Sequence, residues 1–138
     1  MLSELNDDKK SVATSTCTLD LEDKNLIEVT TFKNASIEIP QVKEIHKALL
    51  TLTNSEPCYL LVLPAIGTTS SNEARQYAAS IKKHKNIVAE AIVVNTLPLR
   101  LLASFFIKVN KPRQKVKIFS NASSARRWLH EIMEEQKN

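Results

Sequence analysis

The 138-residue sequence contains a single glycine, Gly67. A dinucleotide-binding G-x-G-x-x-G turn and a Walker A loop each need at least two glycines, so neither phosphate cradle can be built. Asp7, Asp8, Asp20 and Asp23 are its only aspartates. Nothing after them can serve as a Walker B aspartate, a phospho-acceptor aspartate or an aspartate-based magnesium site. Cys17 and Cys58 have no C-x-x-C spacing and no apolar leader precedes them, which reads as two buried free thiols in a reducing compartment. His46, His84 and His130 sit on separate segments without H-x3–5-H spacing, so no metal and no cofactor is expected. The longest apolar stretch, Leu97–Val109, is interrupted by Arg100 and Lys108 and falls short of the roughly 20 residues a membrane span needs. With no apolar leader in Met1–Lys10, the expectation is a soluble cytoplasmic chain without a transmembrane segment.

What is present is ordinary globular material, 43% hydrophobic and 25% charged, enough for one self-sufficient core. Charge is unevenly spread. Residues 1–69 hold 6 lysines and no arginine against 10 acids, a net of −4, while residues 70–138 hold 13 cations against 5 acids, a net of +8. The excess lies in a window from Lys82 to Lys117, where nine cations face Glu90 alone.

Periodicity then orders the chain. Residues 1–11 read as a flexible tail and 12–138 as one domain. Cys17, Leu19 and Leu21 alternate with polar neighbours as a strand, Asp23–Asn25 supply a turn, and Leu26–Lys33 returns, which predicts an antiparallel hairpin. Pro40 opens a helix carrying Val42, Ile45, Leu49 and Leu52 on one stripe. Strands at Tyr59–Leu63, Ile87–Val94 and Lys115–Phe119 alternate with helices over 71–84, 98–109 and 122–135. The inward positions of the second and last helices are Ala74, Ala78 and Ile81, then Ala125, Trp128, Leu129 and Ile132. Such alternation builds parallel strands through helical crossovers. The fold class is α/β, a mixed five-stranded sheet with an antiparallel N-terminal hairpin and about four helices.

Several segments together resemble a known family: Glu73-Ala74-Arg75 opening a helix, Ala89–Val94, Arg100–Phe106 followed by Asn110-Lys111-Pro112, then Val116–Phe119 and Ala125, Trp128, Leu129. Their order is similar to that of the small SpoIIAA-like bacterial proteins, relatives of the STAS (sulfate transporter and anti-sigma factor antagonist) fold, over about residues 24–132. The resemblance implies a SpoIIAA-like fold and a regulatory or interaction role. Two departures stand out. Leu61-Val62-Leu63-Pro64 replaces a strand ending in Leu-Val-Asp, and Thr69-Ser70-Ser71 lacks the flanking Asp and Gly of an anti-sigma antagonist's phosphorylated loop.

The candidate site residues are Thr69, Ser70, Ser71, Arg75 and Arg100. The run 67–72 precedes a helix and follows a parallel strand, a place suited to an anion or a phosphorylated hydroxyl; structurally, Ser70 and Glu73 read as an S-x-x-E capping box. Arg75 sits early in its helix, where a cation opposes the dipole, so it serves either an anion or a surface acid such as Glu73. Cys58 has no nearby cation to activate it and reads as core. Glu90 is either a base in a cleft or an outward-facing partner of a lysine. In the 97–111 helix, Arg100, Ser104, Lys108 and Lys111 form a polar stripe of roughly 80°, whereas apolar residues, Phe105 and Phe106 among them, span roughly 240°. Packing on a sheet needs about 100°. The surplus is covered by a neighbouring helix or else by a second subunit, an apolar ligand or a partner protein, and a homodimer through Leu101 and Ile107 is expected.

No nucleophile, paired carboxylates or phosphate loop can be assembled, so a non-catalytic STAS-like interaction or regulatory module is expected, with a protein partner or a small anionic amphiphile as ligand. The alternative is nucleic-acid or anionic-surface binding through the basic 82–117 window. Specific nucleic-acid binding is not expected, because the window's aromatics read as core.

Overall fold

Thr14 closes the first turn of the chain. Its hydroxyl accepts the N–H groups of Thr16 and Cys17 at 3.2 and 3.1 Å, and its own N–H reaches the Cys17 carbonyl at 2.8 Å. This turn joins β1 (Lys10–Ala13) to β2 (Cys17–Leu21) in the computed structural model, which describes residues 10–80, 86–110 and 115–137. β1 is a strand that periodicity does not reveal, and it makes the main sheet six-stranded rather than five-stranded. It begins at Lys10, inside the stretch expected to be tail. One apolar residue, Val12, packs on the core, and a lone apolar position carries no period. The rest of its anchoring is backbone pairing of Lys10–Ala13 with Thr18–Leu21 and the Ser11 hydroxyl on the Asp20 carboxylate.

β3 (Leu26–Thr31) completes an antiparallel meander, with Leu19 opposite Val29 and Asp20 opposite Glu28. A short 3-10 turn, Asp23–Asn25, connects the two. With a single glycine in the chain, the other left-handed positions fall to Lys24 (φ 61°), Asn25 (φ 62°), Asn34 (φ 63°), Asn54 (φ 53°) and Ser55 (φ 62°), three of them asparagine, which tolerates that region better than most residues. After β4 (Ser36–Ile37), α1 (Ile39–Thr53) starts with Pro40 in its first turn and a capping box between Glu38 and Gln41.

From β3 onward the strands are parallel: β5 (Cys58–Leu63), β7 (Ile87–Val93) and β8 (Lys115–Phe119) extend the sheet in the order β1-β2-β3-β5-β7-β8. β6 (Thr69–Ser70) pairs with β4 as a separate two-stranded sheet. The crossovers α1, α2 (Asn72–Ser80) and α3 (Leu97–Asn110) all step the same way along the sheet, which puts them on one face. α4 (Ala122–Lys137) returns on the other face.

Two cores result. Cys17, Leu19, Ile27, Val29, Cys58 and Leu60 lie under Leu49 and Leu52 of α1. Leu26, Tyr59, Leu61, Ala89 and Ala91 lie under Ala125, Leu129, Ile132 and Met133 of α4. The small Ala89 and Ala91 let α4 settle onto β7, and Trp128 flanks it against Phe119 at 5.6 Å between ring centroids. Arg126 ties α4 to the meander through Glu22 at 2.6 Å and Glu28 at 2.8 Å. Ala74 is buried as expected, while Ala78 and Trp128 are half-buried; Ile81 lies outside the described residues.

Candidate functional site

β3, β5 and β7 are neighbours running in one direction, so Thr31, Leu63 and Val93 end together at one rim of the sheet. The loops that follow the first two strands are fastened to each other. Asn34 donates its N–H to the Ile66 carbonyl and Thr69 to that of Ala35, both at 2.9 Å, and Ser71 donates to Ile37 at 3.3 Å. Thr31 works from beneath, its hydroxyl accepting the Ala65 N–H at 2.7 Å and meeting the Thr68 hydroxyl at 2.6 Å. Gly67 (φ 82°) lies against the Asn34 side chain so closely that any Cβ would collide with it. The one glycine is spent where a left-handed bend and a close approach coincide.

This locked platform carries part of the molecule's exposed apolar surface. Among the described residues the large hydrophobics that remain exposed are Phe32 (42%), Ile66 (81%), Leu97 (58%), Leu99 (54%) and Leu101 (63%). Phe32 follows directly on β3, Ile66 lies in the loop after β5, and the three leucines lie in the first five residues of α3, the helix that follows β7. On α3, Leu97 and Leu101 share an outward stripe with Ser104 and Lys108, all four exposed, whereas Leu99 points about 160–200° away from both leucines. The first turn of α3 is therefore uncovered on two sides. The sequence signal for these residues is slight: apolar side chains set beside Pro64, Gly67 and Pro98, just past strand ends.

The structure brings Ser70, Ser71 and Arg75 together. One Arg75 guanidinium nitrogen donates to the Ser70 carbonyl and to its hydroxyl, the latter at 3.0 Å. The early cation in α2 is thus turned back onto a backbone acceptor outside the helix. The cap differs from expectation: Ser71, not Ser70, accepts the Ala74 N–H at 3.0 Å, because Ser70 belongs to β6 and the helix begins one residue later than the S-x-x-E spacing requires. Thr69 is exposed on β6, and Arg100 is half-buried on α3, in a different strand-to-helix connection. Leu101 is open, but Ile107 is half-buried; the outward companion of Leu101 is Leu97, since Ile107 turns about 120° away from it. The side chains of Phe105 and Phe106 lie outside the described residues.

Elsewhere the chemistry is quiet. Cys58 is fully buried, with the Asn86 amide nitrogen 3.8 Å from its sulfur. Burial, reinforced by the Glu90 carboxylate, pushes its thiol up to about 12. Burial likewise raises Cys17. Glu90 itself is half-buried in mid-strand opposite Leu60. His46 is buried and His130 exposed; His84 lies outside the described residues, among which no three His, Cys, Asp or Glu side chains gather as metal ligands. Of the basic window, Lys108, Lys115 and Lys117 are exposed; Lys82, Lys83, Lys85, Lys111 and Arg113 fall outside the described residues. An open depression lined by Lys24, Tyr59, Met133 and Gln136 lies at the opposite end of β5 from the rim. No helix among the described residues is long and apolar enough to cross a membrane.

Compared with known proteins, the chain matches one family, described as a domain of unknown function (DUF7793), over residues 19–133. No curated protein and no solved structure matches it.

Proposed function

This chain belongs to the DUF7793 family of domains of unknown function, and we propose that it is a non-catalytic, STAS-like interaction module that docks through the C-terminal rim of its parallel sheet. The observation that carries this reading is the gathering of Phe32, Ile66, Leu97, Leu99 and Leu101 at one end of three adjacent strands. Monomeric proteins seldom leave several large apolar side chains bare at one end of a sheet unless something binds there. Open α/β sheets use this same end for ligands. Rigidity favours docking as well, because a loop already fixed by hydrogen bonds loses little freedom when a partner arrives. A non-catalytic role is supported by the two thiols, whose burial keeps them protonated and unreactive.

The test is a photo-crosslinking residue placed at Ile66 or Leu101, with Gln136 at the opposite end as control, in cells of the native host. Adducts at the rim positions and none at Gln136 support the reading. Equal labelling at all three, or none at the rim, overturns it.

A second reading, a two-fold homodimer, is favoured by Leu97 and Leu101 sharing one outward stripe of α3. Closed two-fold pairing is the commonest way for a chain to cover its own apolar surface. Sedimentation velocity at tens of micromolar reads it directly, and Leu101→Glu then yields a monomer, because an unpaired carboxylate is costly to bury in the interface.

A further inference from the structure

Resting on the reading of the rim as a docking face, we infer that its partner is an anionic lipid surface, into which the apolar tips insert while the rim's positive ends meet the headgroups. Shape is the first ground. A flat protein partner covers one side of a helix, yet the start of α3 is bare on both, with Leu97 and, one turn on, Leu101 on one side and Leu99 on the other. A fluid apolar medium surrounds such a turn without needing a matching groove. Ile66 stands on a loop already tied down by Asn34, Thr31 and Thr69, so it enters pre-ordered. Phe32, next to Lys33, lies on the partner loop of that platform.

Charge is the second ground. Among the described residues each of the four α-helices follows a parallel strand, so these four N-termini face this rim, and each presents about half a positive charge. Lys33, Arg75 and Arg100 add to them, against Glu38 and Glu73. The connections also carry Asn34, Ser36, Thr68–Ser71, Asn95, Thr96, Ser120 and Asn121, neutral hydrogen-bonding groups of the kind that suits a headgroup layer. A second copy would bring the same positive ends face to face, which opposes self-pairing here. An anionic bilayer complements both the charge and the leucines.

The experiment is co-sedimentation of the full chain with large vesicles, either of phosphatidylcholine alone or of phosphatidylcholine with roughly one part in four phosphatidylserine. Binding to the mixed vesicles only is expected, weakened several-fold by high salt and by about tenfold in Ile66→Glu and in Leu97→Asp. Circular dichroism verifies the fold of each variant, and Ile66→Ser on the loop serves if Leu97→Asp does not fold. The inference is overturned by no binding, by equal binding to neutral vesicles, or by anionic binding that the Ile66 and Leu97 variants leave unchanged. A dimer found without vesicles and split by Leu97→Asp also overturns it. In that case the docking reading survives, since that reading fails when the rim crosslinks to nothing or no more than Gln136 does.

Discussion

Cys58 is a thiol that its surroundings hold protonated. Its folded value of about 12 stands above the 9.0 of an ordinary thiol, so the unfolded chain gives up the proton first as pH rises. The sign follows: the stabilisation is complete below about pH 9 and is lost as pH climbs toward 12, by up to about 4 kcal/mol at 1.36 kcal/mol per unit. Urea unfolding on either side of pH 9 is expected to show this decline, and Cys58→Ala to flatten it. Ser71 makes a different residue-scale contribution. Its hydroxyl holds the Ala74 N–H, so Ser71→Ala should lower stability by about 1 kcal/mol, as loss of a helix cap does. Ser70→Ala should leave the cap intact and remove one of the acceptors that seat Arg75.

At the scale of elements, what is buried on both sides could be read from the sequence. The apolar run of β5 is too short for a helix and so reads as a strand buried on both faces, and the stripe Ala125, Leu129, Ile132 of α4 shows the helical period. β1 escaped because Val12 is its one core contact and its pairing partners are backbone groups, which are the same in any sequence. The rim was half legible. The wide apolar arc of α3 is visible in composition, but its concentration in the first turn depends on where β7 stops, and Phe32 and Ile66 acquire meaning only when three loops are brought side by side. This division predicts opposite costs for similar changes. Leu97→Ser with Leu101→Ser should leave the thermal midpoint nearly unmoved, within about 0.5 kcal/mol, as surface changes do. Leu61→Ala or Leu129→Ala should cost about 2–5 kcal/mol, because each empties a fully buried position.

For the molecule as a whole, the two cores are bound together by the strands they share. Leu60 and Leu61 are consecutive residues that face opposite cores, so neither core can open without stripping the other. Calorimetry should therefore record one transition with equal van't Hoff and calorimetric enthalpies. Leu49→Ala and Leu129→Ala, on opposite faces, should shift that same transition. The order of synthesis adds a consequence. α1, α2 and α3 emerge from the ribosome interleaved with the strands they cover, but α4 is made after every strand of the sheet. Until its Leu129, Ile132 and Met133 are translated, Leu26, Tyr59 and Leu61 have no cover. A nascent chain stalled before Ala122 thus cannot close either core and leaves these apolar residues open to chaperones and proteases, and arrival of the last helix is the event that hides them.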